Sequence, residues 1–255
     1  MQLVDSHCHL HSTDYKQGID QVYESARKVG VNKLICVGTD VEDSKLAISF
    51  AKDHEGTWST VGIHPHEADR FIGDQSALDE LASLASADRV VAIGECGLDY
   101  FYNHSAKRSQ QEILKYQIEL AIKYQLPLAF HIRNAFDDFW PIFDSYSKLR
   151  GIVHSFTDNQ SNLTKAIDRG LFIGVNGIST FTKNQQQISM YKQIPLANLI
   201  LETDAPYLTP VPFRGMICES KHIKVIADFL ADLRGETPEE IANWTTKNAN
   251  LLFSI

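Results

Sequence analysis

The chain has 255 residues, 44% of them hydrophobic, which is enough to bury a substantial core in one large α/β domain or in two small ones. Its 24 basic and 32 acidic residues give a net charge of −8. This balance excludes the broad basic surface of proteins that bind nucleic acid mainly through charge. The sequence has no apolar run of 18 residues and no signal-peptide pattern, so a soluble, unprocessed protein is expected.

Cysteine usage indicates a reducing compartment. The four cysteines, Cys8, Cys36, Cys96 and Cys218, have no CxxC spacing, and three of the four lie in or at the end of apolar runs. A reduced thiol in such a run behaves as a small hydrophobic group. We therefore expect the protein to reside in the cytoplasm.

Short runs rich in Val, Ile, Leu and Phe alternate with longer segments of helical period along the whole chain. The short runs predict eight strands, at residues 3–10, 33–39, 58–64, 90–98, 126–133, 151–156, 171–177 and 199–204. The longer segments predict helices at 18–29, 41–53, 75–85, 105–124, 135–148, 160–169 and 185–193, and two more after the last strand, at 220–233 and 237–251.

Eight strands, each followed by a helix, in about 250 residues are typical of the (β/α)8 TIM barrel. We therefore predict one α/β domain of this class, covering residues 1–255. A doubly wound open sheet is the main alternative, because periodicity alone does not show whether a sheet closes. No GxGxxG motif follows the first predicted strand, however, so the dinucleotide-binding form of that alternative lacks its fingerprint.

Polar residues interrupt the apolar runs almost only at the carboxyl ends of the predicted strands, which form the active-site end of such a barrel. They are Asp5, His7 and His9 on the first strand, His64 and His66 on the third, Glu95 and Asp99 on the fourth, His131 and Arg133 on the fifth, His154 on the sixth, and Glu202 and Asp204 on the eighth. An isolated buried histidine is usually a hydrogen-bonded core residue. Burying so many polar groups together without a cation would be costly, by roughly several kcal/mol for each unpaired group.

Nitrogen and oxygen donors without thiolates suit zinc, manganese or a similar divalent ion, and six ligands suggest two ions. Adjacent strands predict that His7, His9 and Asp204 bind one ion. His131 and His154 would bind the other. Glu95 lies between the two groups, and we expect it to bridge the ions.

Two carboxylates receive different predictions. Asp204 is placed to orient the attacking water and to accept its proton, although an Asp before Ala-Pro also suits a simple turn. Asp5 lies one step deeper on the strand and is predicted to accept a hydrogen bond from a ligand histidine rather than to bind an ion.

The chain resembles the TatD family of metal-dependent deoxyribonucleases, within the amidohydrolase-like barrel superfamily. The resemblance covers essentially the whole chain, and its motifs in order are DSHCHL at 5–10, GIHPH at 62–66, GECGLDY at 94–100, PLAFHIR at 127–133, HSF at 154–156 and ETDAPYLTP at 202–210. It implies the same six metal ligands, namely His7, His9, Glu95, His131, His154 and Asp204. It also implies catalytic roles for Asp204 and Glu95 and phosphate contacts from His64 and Arg133, with His66 as a possible structural residue.

The resemblance implies two divalent ions, zinc, manganese or magnesium, and DNA as the substrate. Membrane association and an obligate protein partner are not expected, and a monomer is. Relatives tend to read RGKRNEP where this chain reads RGMICES at 214–220, and HSFTG where it reads HSFTD at 154–158. Both departures make the predicted active-site end less basic. No lysine stands at a predicted strand end, so Glu95 takes the place of the carboxylated lysine that other branches of the superfamily use.

Three functions remain open at the level of the sequence. The first is a deoxyribonuclease that uses two metal ions to cleave phosphodiester bonds. The second is a hydrolase of a small ester or amide, such as an aminoacyl ester, with the same metal site. The third, a barrel that has lost catalysis and binds a partner, is disfavoured by the complete ligand set.

Aromatic and basic residues near the predicted site allow two readings. Tyr100, Phe101 and Tyr102 have the character of a base-stacking surface, but a loop packed on the barrel rim is an equal alternative. Four cations lie near the predicted active-site end: Arg133, Arg214, Lys107 and Arg108. The last two fit better as the solvated start of a helix. The spacing of Phe136, Phe139 and Trp140 predicts only a buried helix face.

Overall fold

The computed structural model of the protein describes residues 1–13, 15–102 and 104–255. Its eight strands are parallel and follow one another around a nearly closed sheet in the order β1 to β8. They are β1 (Leu3–Cys8), β2 (Val31–Val37), β3 (Thr57–Val61), β4 (Val90–Asp99), β5 (Leu128–Arg133), β6 (Gly151–Val153), β7 (Phe172–Val175) and β8 (Leu199–Leu201). The predicted single-domain TIM barrel is confirmed.

Helices alternate with these strands. They are α1 (Ile19–Lys28), α2 (Val41–Asp53), α3 (Ala68–Phe71), α4 (Gln75–Leu84), α5 (Lys107–Tyr124), α6 (Phe136–Asp144), α7 (Gln160–Asp168), α8 (Ile178–Phe181), α9 (Gln185–Gln193), α10 (Ile223–Arg234) and α11 (Pro238–Phe253). Short 3-10 turns occupy Leu10–Ser12, Pro65–Glu67, Leu196–Asn198 and Ser220–His222. The sequence missed α3 and α8, because one helical turn is too short to show a period.

Six strands, β1 to β3 and β6 to β8, end two or three residues earlier than predicted. Four site residues that were assigned to strand ends therefore lie just beyond them: His9, His64, His154 and Asp204. Strand β3 ends at Val61 and β8 at Leu201, so His64 and Asp204 each lie three residues beyond a strand. Residue His154 follows directly after β6. The chain leaves the sheet here because it turns sharply: Ser155 and Asp204 have positive φ angles of 49° and 59°, which a strand does not accommodate.

The fold divides into two compact units, residues 1–36 with 155–255 and residues 37–154. In the first unit β1 pairs with β2, and β7 pairs with β8. Strands β1 and β8 meet where the N–H of His9 donates to the carbonyl of Ala205 (2.7 Å) and the N–H of Asp204 donates to the carbonyl of His7 (2.9 Å). This junction distinguishes the closed sheet from the open alternative. Helix α11 packs against both strands.

In the second unit β3, β4, β5 and β6 pair in sequence. Two buried glutamines of α5 hold the carboxyl ends of strands. Gln117 accepts from the N–H of Ile63 (2.8 Å) and donates to its carbonyl (2.9 Å). Gln110 does the same for Asp99, at 2.7 and 3.1 Å. Two buried side chains therefore fix the loop after β3 and the end of β4.

Buried hydrophobic side chains surround these strands. Helix α6 contributes an aromatic cluster that confirms the predicted buried face: Phe136, Phe139, Trp140 and Phe143. All four cysteines are buried free thiols. Among the described residues, no helix is both long and apolar enough to cross a membrane.

Candidate metal centre

Three of the predicted ligands form one cluster in the first unit, which we call the β1–β8 cluster: His7, His9 and Asp204. His7 lies on β1, and His9 is the first residue beyond the end of that strand at Cys8, where its N–H donates to the carbonyl of Ala205. The Nε2 atoms of His7 and His9 each lie 3.6 Å from Oδ1 of Asp204. Both imidazoles are buried, and the Asp204 side chain keeps 15% of its surface exposed. The carboxylate is thus the part of the cluster that solvent or a substrate reaches.

The 3.6 Å separations in the β1–β8 cluster are longer than a good N–H···O hydrogen bond. Two ligands of a tetrahedral ion with bonds of 2.0–2.1 Å would be separated by about 3.4 Å. The donor types and their spacing therefore fit a divalent ion that is held by His7, His9 and Asp204.

Asp5 lies behind this cluster, but its contacts differ from the prediction. Its carboxylate accepts from the N–H (2.9 Å) and the hydroxyl (2.6 Å) of Thr203 and, at 3.5 Å, from the backbone N–H of His7. Burial raises the pKa of Asp5 to about 7, although hydrogen bonds from Ser220 and Thr203 oppose the rise. Asp5 thus fixes the backbone around His7 and Asp204 instead of binding an imidazole, because its side chain turns toward the loop after β8.

Glu202 is a completely buried carboxylate to which the sequence assigned no role. It accepts from the N–H of Ser155 (2.6 Å) and from Nδ2 of Asn176 (3.3 Å). Gly174 of β7 leaves the space that Glu202 fills, since a Cβ at Gly174 would lie 2.4 Å from Oε2 of Glu202. The sequence feature that could have identified Glu202 is its position two residues before Asp204, at the end of an apolar run.

The second unit holds a larger group, which we call the β4–β5 cluster. It consists of His64, His66, Glu95, Asp99, His131 and His154. Glu95 and Asp99 both lie on β4, four residues apart and on the same side of the strand. The glycine between them is required, because Gly97 has a φ of 151° and a Cβ there would lie 1.9 Å from the carbonyl oxygen of His131. Strand β5 can therefore approach β4 closely enough for His131 to reach both carboxylates.

His131 is held between those carboxylates. Its Nδ1 lies 2.8 Å from Oε1 of Glu95, and its Nε2 lies 3.0 Å from Oδ2 of Asp99. Burial alone would lower the pKa of His131, but the hydrogen bonds with Asp99 and Glu95 together raise it above its ordinary value. An ion bound by Nδ1 would replace the proton there, while Asp99 would keep the Nε2–H oriented.

Asp99 is a second candidate functional residue, and the sequence left it without a role. It is completely buried. Besides His131 it contacts Nε2 of His66 (3.0 Å) and accepts from the backbone N–H groups of Phe101 and Tyr102 (2.9 and 3.1 Å). Burial opposes ionisation, yet the hydrogen bonds, led by the one with His131, hold the pKa of Asp99 well below its usual range. The period of two from Glu95 through Gly97 to Asp99 could have identified it.

Oε1 of Glu95 is the common point of the β4–β5 cluster. The Nε2 atoms of His64 and His154 each lie 3.6 Å from it, the same spacing as in the β1–β8 cluster. Donor atoms of His64, Glu95 and His131 all lie within 4.8 Å of one another. These distances fit a cation beside Glu95.

His64 has a tautomer that follows from its contacts. Its Nδ1 accepts the backbone N–H of His66 at 3.2 Å. Burial lowers the pKa of His64 to about 3, so the ring is neutral near pH 7 and carries its proton on Nε2. With this proton, Nε2 is a hydrogen-bond donor that can meet a substrate oxygen, and without it Nε2 can join Glu95 and His131 as a metal ligand.

The three arginines near the site have different contacts. Arg133, at the end of β5, is exposed and stacks on Phe101, with its Cζ 4.0 Å from the ring centroid. Arg214 donates to the carbonyl of Thr209 (2.8 Å), and Arg108 pairs with Glu112 (2.8 Å). The exposed Arg108–Glu112 pair supports the interpretation of residues 107–108 as a solvated helix start.

Comparison with known proteins identifies the class of this site. The family model for TatD-related DNases matches residues 4–254. The chain is 33% identical to an uncharacterized metal-dependent hydrolase, YabD, of Bacillus subtilis over 99% of both chains. It is 32% identical to the 3′-5′ ssDNA/RNA exonuclease TatD of Salmonella typhimurium, again over 99% of both chains.

A solved structure gives the same result. The TatD homologue YJJV of Escherichia coli superposes with a TM-score of 0.92 at 27% identity, over 99% of this chain and 98% of that one. The buried His, Asp and Glu clusters supply ligands of the kind that a metal-dependent hydrolase requires. The chain belongs to the TatD family of metal-dependent hydrolases.

Proposed function

We propose that this protein is a deoxyribonuclease that hydrolyses the phosphodiester bonds of DNA with two divalent ions. One observation carries the proposal: the chain contains two groups of histidines whose Nε2 atoms lie 3.6 Å from a carboxylate oxygen, that of Asp204 for His7 and His9 and that of Glu95 for His64 and His154. Two such groups suit the two-metal chemistry of phosphodiester hydrolysis. The Salmonella relative, named as a 3′-5′ ssDNA/RNA exonuclease, supports the substrate class.

The proposed ligands are His7, His9 and Asp204 for one ion and His131 and His154 for the other, with Glu95 shared. Bound divalent ions would polarise the phosphate and lower the pKa of the attacking water. Zinc, manganese and magnesium all accept nitrogen and oxygen ligands, so the donor set leaves these three candidates. The four buried free thiols support a cytoplasmic location as part of the same proposal.

Asp204 is the proposed general base. Its side chain is the exposed part of the β1–β8 cluster, and its carboxylate is within reach of a water molecule that enters from solvent. Glu95, almost fully buried, has the complementary task of holding the imidazoles around its Oε1.

His64 and Arg133 are the proposed phosphate contacts. The protonated Nε2 of neutral His64 offers one hydrogen bond. The Arg133 guanidinium is permanently charged and presents its N–H donors in the plane of the group. Local contacts of this kind would allow a chain of net charge −8 to bind a polyanion.

The competing function is hydrolysis of a small ester or amide. Two arginines already contact groups of the protein itself, because Arg214 donates to the carbonyl of Thr209 and Arg108 pairs with Glu112. Few cations then remain to bind a polynucleotide, which favours a small substrate. The same metal ligands would serve a carbonyl carbon equally well.

The test uses purified protein that is loaded in turn with zinc, manganese and magnesium. Single-stranded DNA, single-stranded RNA and a panel of small esters that includes aminoacyl esters are incubated with it and with the Asp204→Asn variant. We expect DNA cleavage that EDTA abolishes and that the variant lacks. Ester turnover without metal-dependent DNA cleavage would refute the deoxyribonuclease proposal and favour the alternative.

A further inference from the structure

An exposed aromatic surface adjoins the β4–β5 cluster and has no part in the chemistry described above. Phe101 keeps 52% and Tyr102 keeps 46% of their surface exposed, in a loop that directly follows Tyr100 and the end of β4. Their rings meet edge to face, 4.7 Å apart and at 90°. Leaving two large apolar rings in water is unfavourable unless a ligand covers them.

The loop is attached to the candidate catalytic residues by its backbone. Asp99 accepts the N–H groups of both Phe101 and Tyr102 through one oxygen, Oδ1. Its other oxygen, Oδ2, contacts His131 and His66. The position of the aromatic rings is therefore coupled to the position of a proposed metal ligand.

A cation completes the surface. The Cζ atom of Arg133 lies 4.0 Å from the ring centroid of Phe101 and 4.7 Å from that of Tyr102. Stacking occupies the flat face of the guanidinium, so its N–H donors remain directed outward in the plane of the group. An aromatic ring beside an outward-facing guanidinium matches a nucleotide, which has a flat base and an anionic phosphate.

The neighbouring histidines extend the same surface toward the cluster. The ring of His66 lies 5.7 Å from that of Tyr102, and the ring of His104 stacks on Tyr102 at an interplanar angle of 26°. A continuous series of contacts thus connects Glu95, through His131 and Asp99, to the loop that carries these rings. A phosphate at the cluster would have its base within reach of the rings.

We propose that Phe101, supported by Tyr102 and Arg133, is a stacking site for a base of the single-stranded nucleic acid substrate. This proposal rests on the proposed nuclease function and adds a residue that binds the base rather than the phosphate. Stacking of this kind tolerates any base, because every base has a π face. The site therefore selects for unpaired strands without selecting a sequence.

The experiment compares two substrates and several variants. One substrate is a short single-stranded DNA, and the other is the same backbone with hydrogen in place of every base. Phe101→Ala is expected to raise KM for the intact strand by about tenfold, the effect of losing one base–aromatic stack, with kcat unchanged. It is expected to leave KM for the base-free strand unchanged. Phe101→Tyr should restore the wild-type KM.

Two further variants separate stacking from packing. Phe101→Leu keeps apolar volume and removes the π face, so it should behave like Phe101→Ala and still fold. Trp244→Ala removes an exposed aromatic ring of α11 that lies under Lys247 (4.8 Å), and it should not change either KM. An equal effect of Phe101→Ala on both substrates, or no effect on either, would overturn the stacking site.

Cleavage of nucleic acid by the wild-type protein tests the nuclease proposal separately from the stacking site. If the wild-type protein cleaves no nucleic acid, the proposed function fails. The stacking site is then judged by binding of the same two strands in EDTA, measured by fluorescence anisotropy. A Kd that rises about tenfold in Phe101→Ala for the intact strand alone would support it, and identical Kd values would refute it.

Discussion

The β1–β8 cluster and the β4–β5 cluster use the same residue types in opposite ways. In the first, the imidazoles of His7 and His9 are 3.6 Å from Asp204, too far for good hydrogen bonds. In the second, His131 is locked between Glu95 and Asp99 at 2.8 and 3.0 Å. The first cluster has only the wider spacing that suits ligands around an ion. The second combines that spacing, at His64 and His154, with the hydrogen-bonded His131.

This difference has a chemical consequence. A cation entering the β1–β8 cluster displaces no hydrogen bond between its members. A cation bound by His131 must replace the proton that Glu95 now shares, whereas the hydrogen bond with Asp99 can persist. The two clusters should therefore respond differently to the loss of a carboxylate, as the following substitutions test.

Asp204→Ala should have the largest effect. It removes the proposed general base, and we expect kcat to fall by about 10²–10⁴-fold. Asp204→Asn, which keeps a ligating oxygen but accepts a proton poorly, should lose similar activity while retaining more metal by elemental analysis. The thermal midpoints of both variants serve as folding controls. Unchanged kcat in either variant would remove Asp204 from its proposed role.

Asp99→Asn should affect the β4–β5 cluster through His131. An amide has one acceptor oxygen instead of two, so it cannot serve both the two imidazoles and the backbone N–H groups of Phe101 and Tyr102, and the orientation of His131 should loosen. We expect a loss of about 10–100-fold in metal affinity or activity, as for other groups that orient metal ligands. The matched control is Asp228→Asn, which removes a surface carboxylate paired with Lys224 (2.7 Å) and should change neither. Equal behaviour of the two variants would contradict the assignment.

Two glycine substitutions should perturb His131 of the β4–β5 cluster and the buried Glu202 by crowding. Gly97→Ala places a methyl group against the His131 carbonyl, and Gly174→Ala places one against the Glu202 carboxylate. Each should lower the free energy of unfolding by about 1–3 kcal/mol, measured by urea denaturation. Gly73→Ala is the control, since Gly73 also has a positive φ of 81° but open space around it. If Gly97→Ala lowers the free energy of unfolding no more than Gly73→Ala does, then stability does not depend on the close packing of β4 on β5.

The smallest effect concerns a buried histidine outside both clusters. His222 accepts the N–H of Glu219 through Nδ1 (3.1 Å) and stacks on Phe213. Burial lowers the pKa of His222 below 6.5. Between the lowered pKa and 6.5 the unfolded chain binds the extra proton, so stability should fall as the pH falls through this range.

His222→Asn keeps an acceptor for the Glu219 N–H and removes the titration. In metal-free protein, the stability advantage of the wild type over this variant should therefore shrink as the pH decreases below 6.5. Chemical denaturation at several pH values measures this difference. If the stability advantage of the wild type over His222→Asn grew as the pH decreased, the predicted direction of the pH dependence would be wrong.

Local patterns were sufficient for much of the fold and for the choice of ligand types. The alternation in DSHCHL predicts that His7 and His9 share a side, because side chains in a strand have a period of two. The regular spacing of apolar runs predicts eight strands, because each strand needs a buried run and each helix needs a periodic one. The polar residues at the predicted strand ends indicated six ligands, and the whole-chain resemblance to the TatD family implied the same set.

Tertiary structure decided what depends on contacts between distant residues. The end of β8 at Leu201, the contact of Asp5 with Thr203 and the contact of Asp99 with His131 are invisible to local periodicity. Each depends on which partner fills a hydrogen bond, and that partner is set by how strands and loops pack. The sequence by itself thus determined the elements and the donor types, while only the tertiary structure decided that His131 is held by two carboxylates and that Phe101 lies exposed beside Arg133.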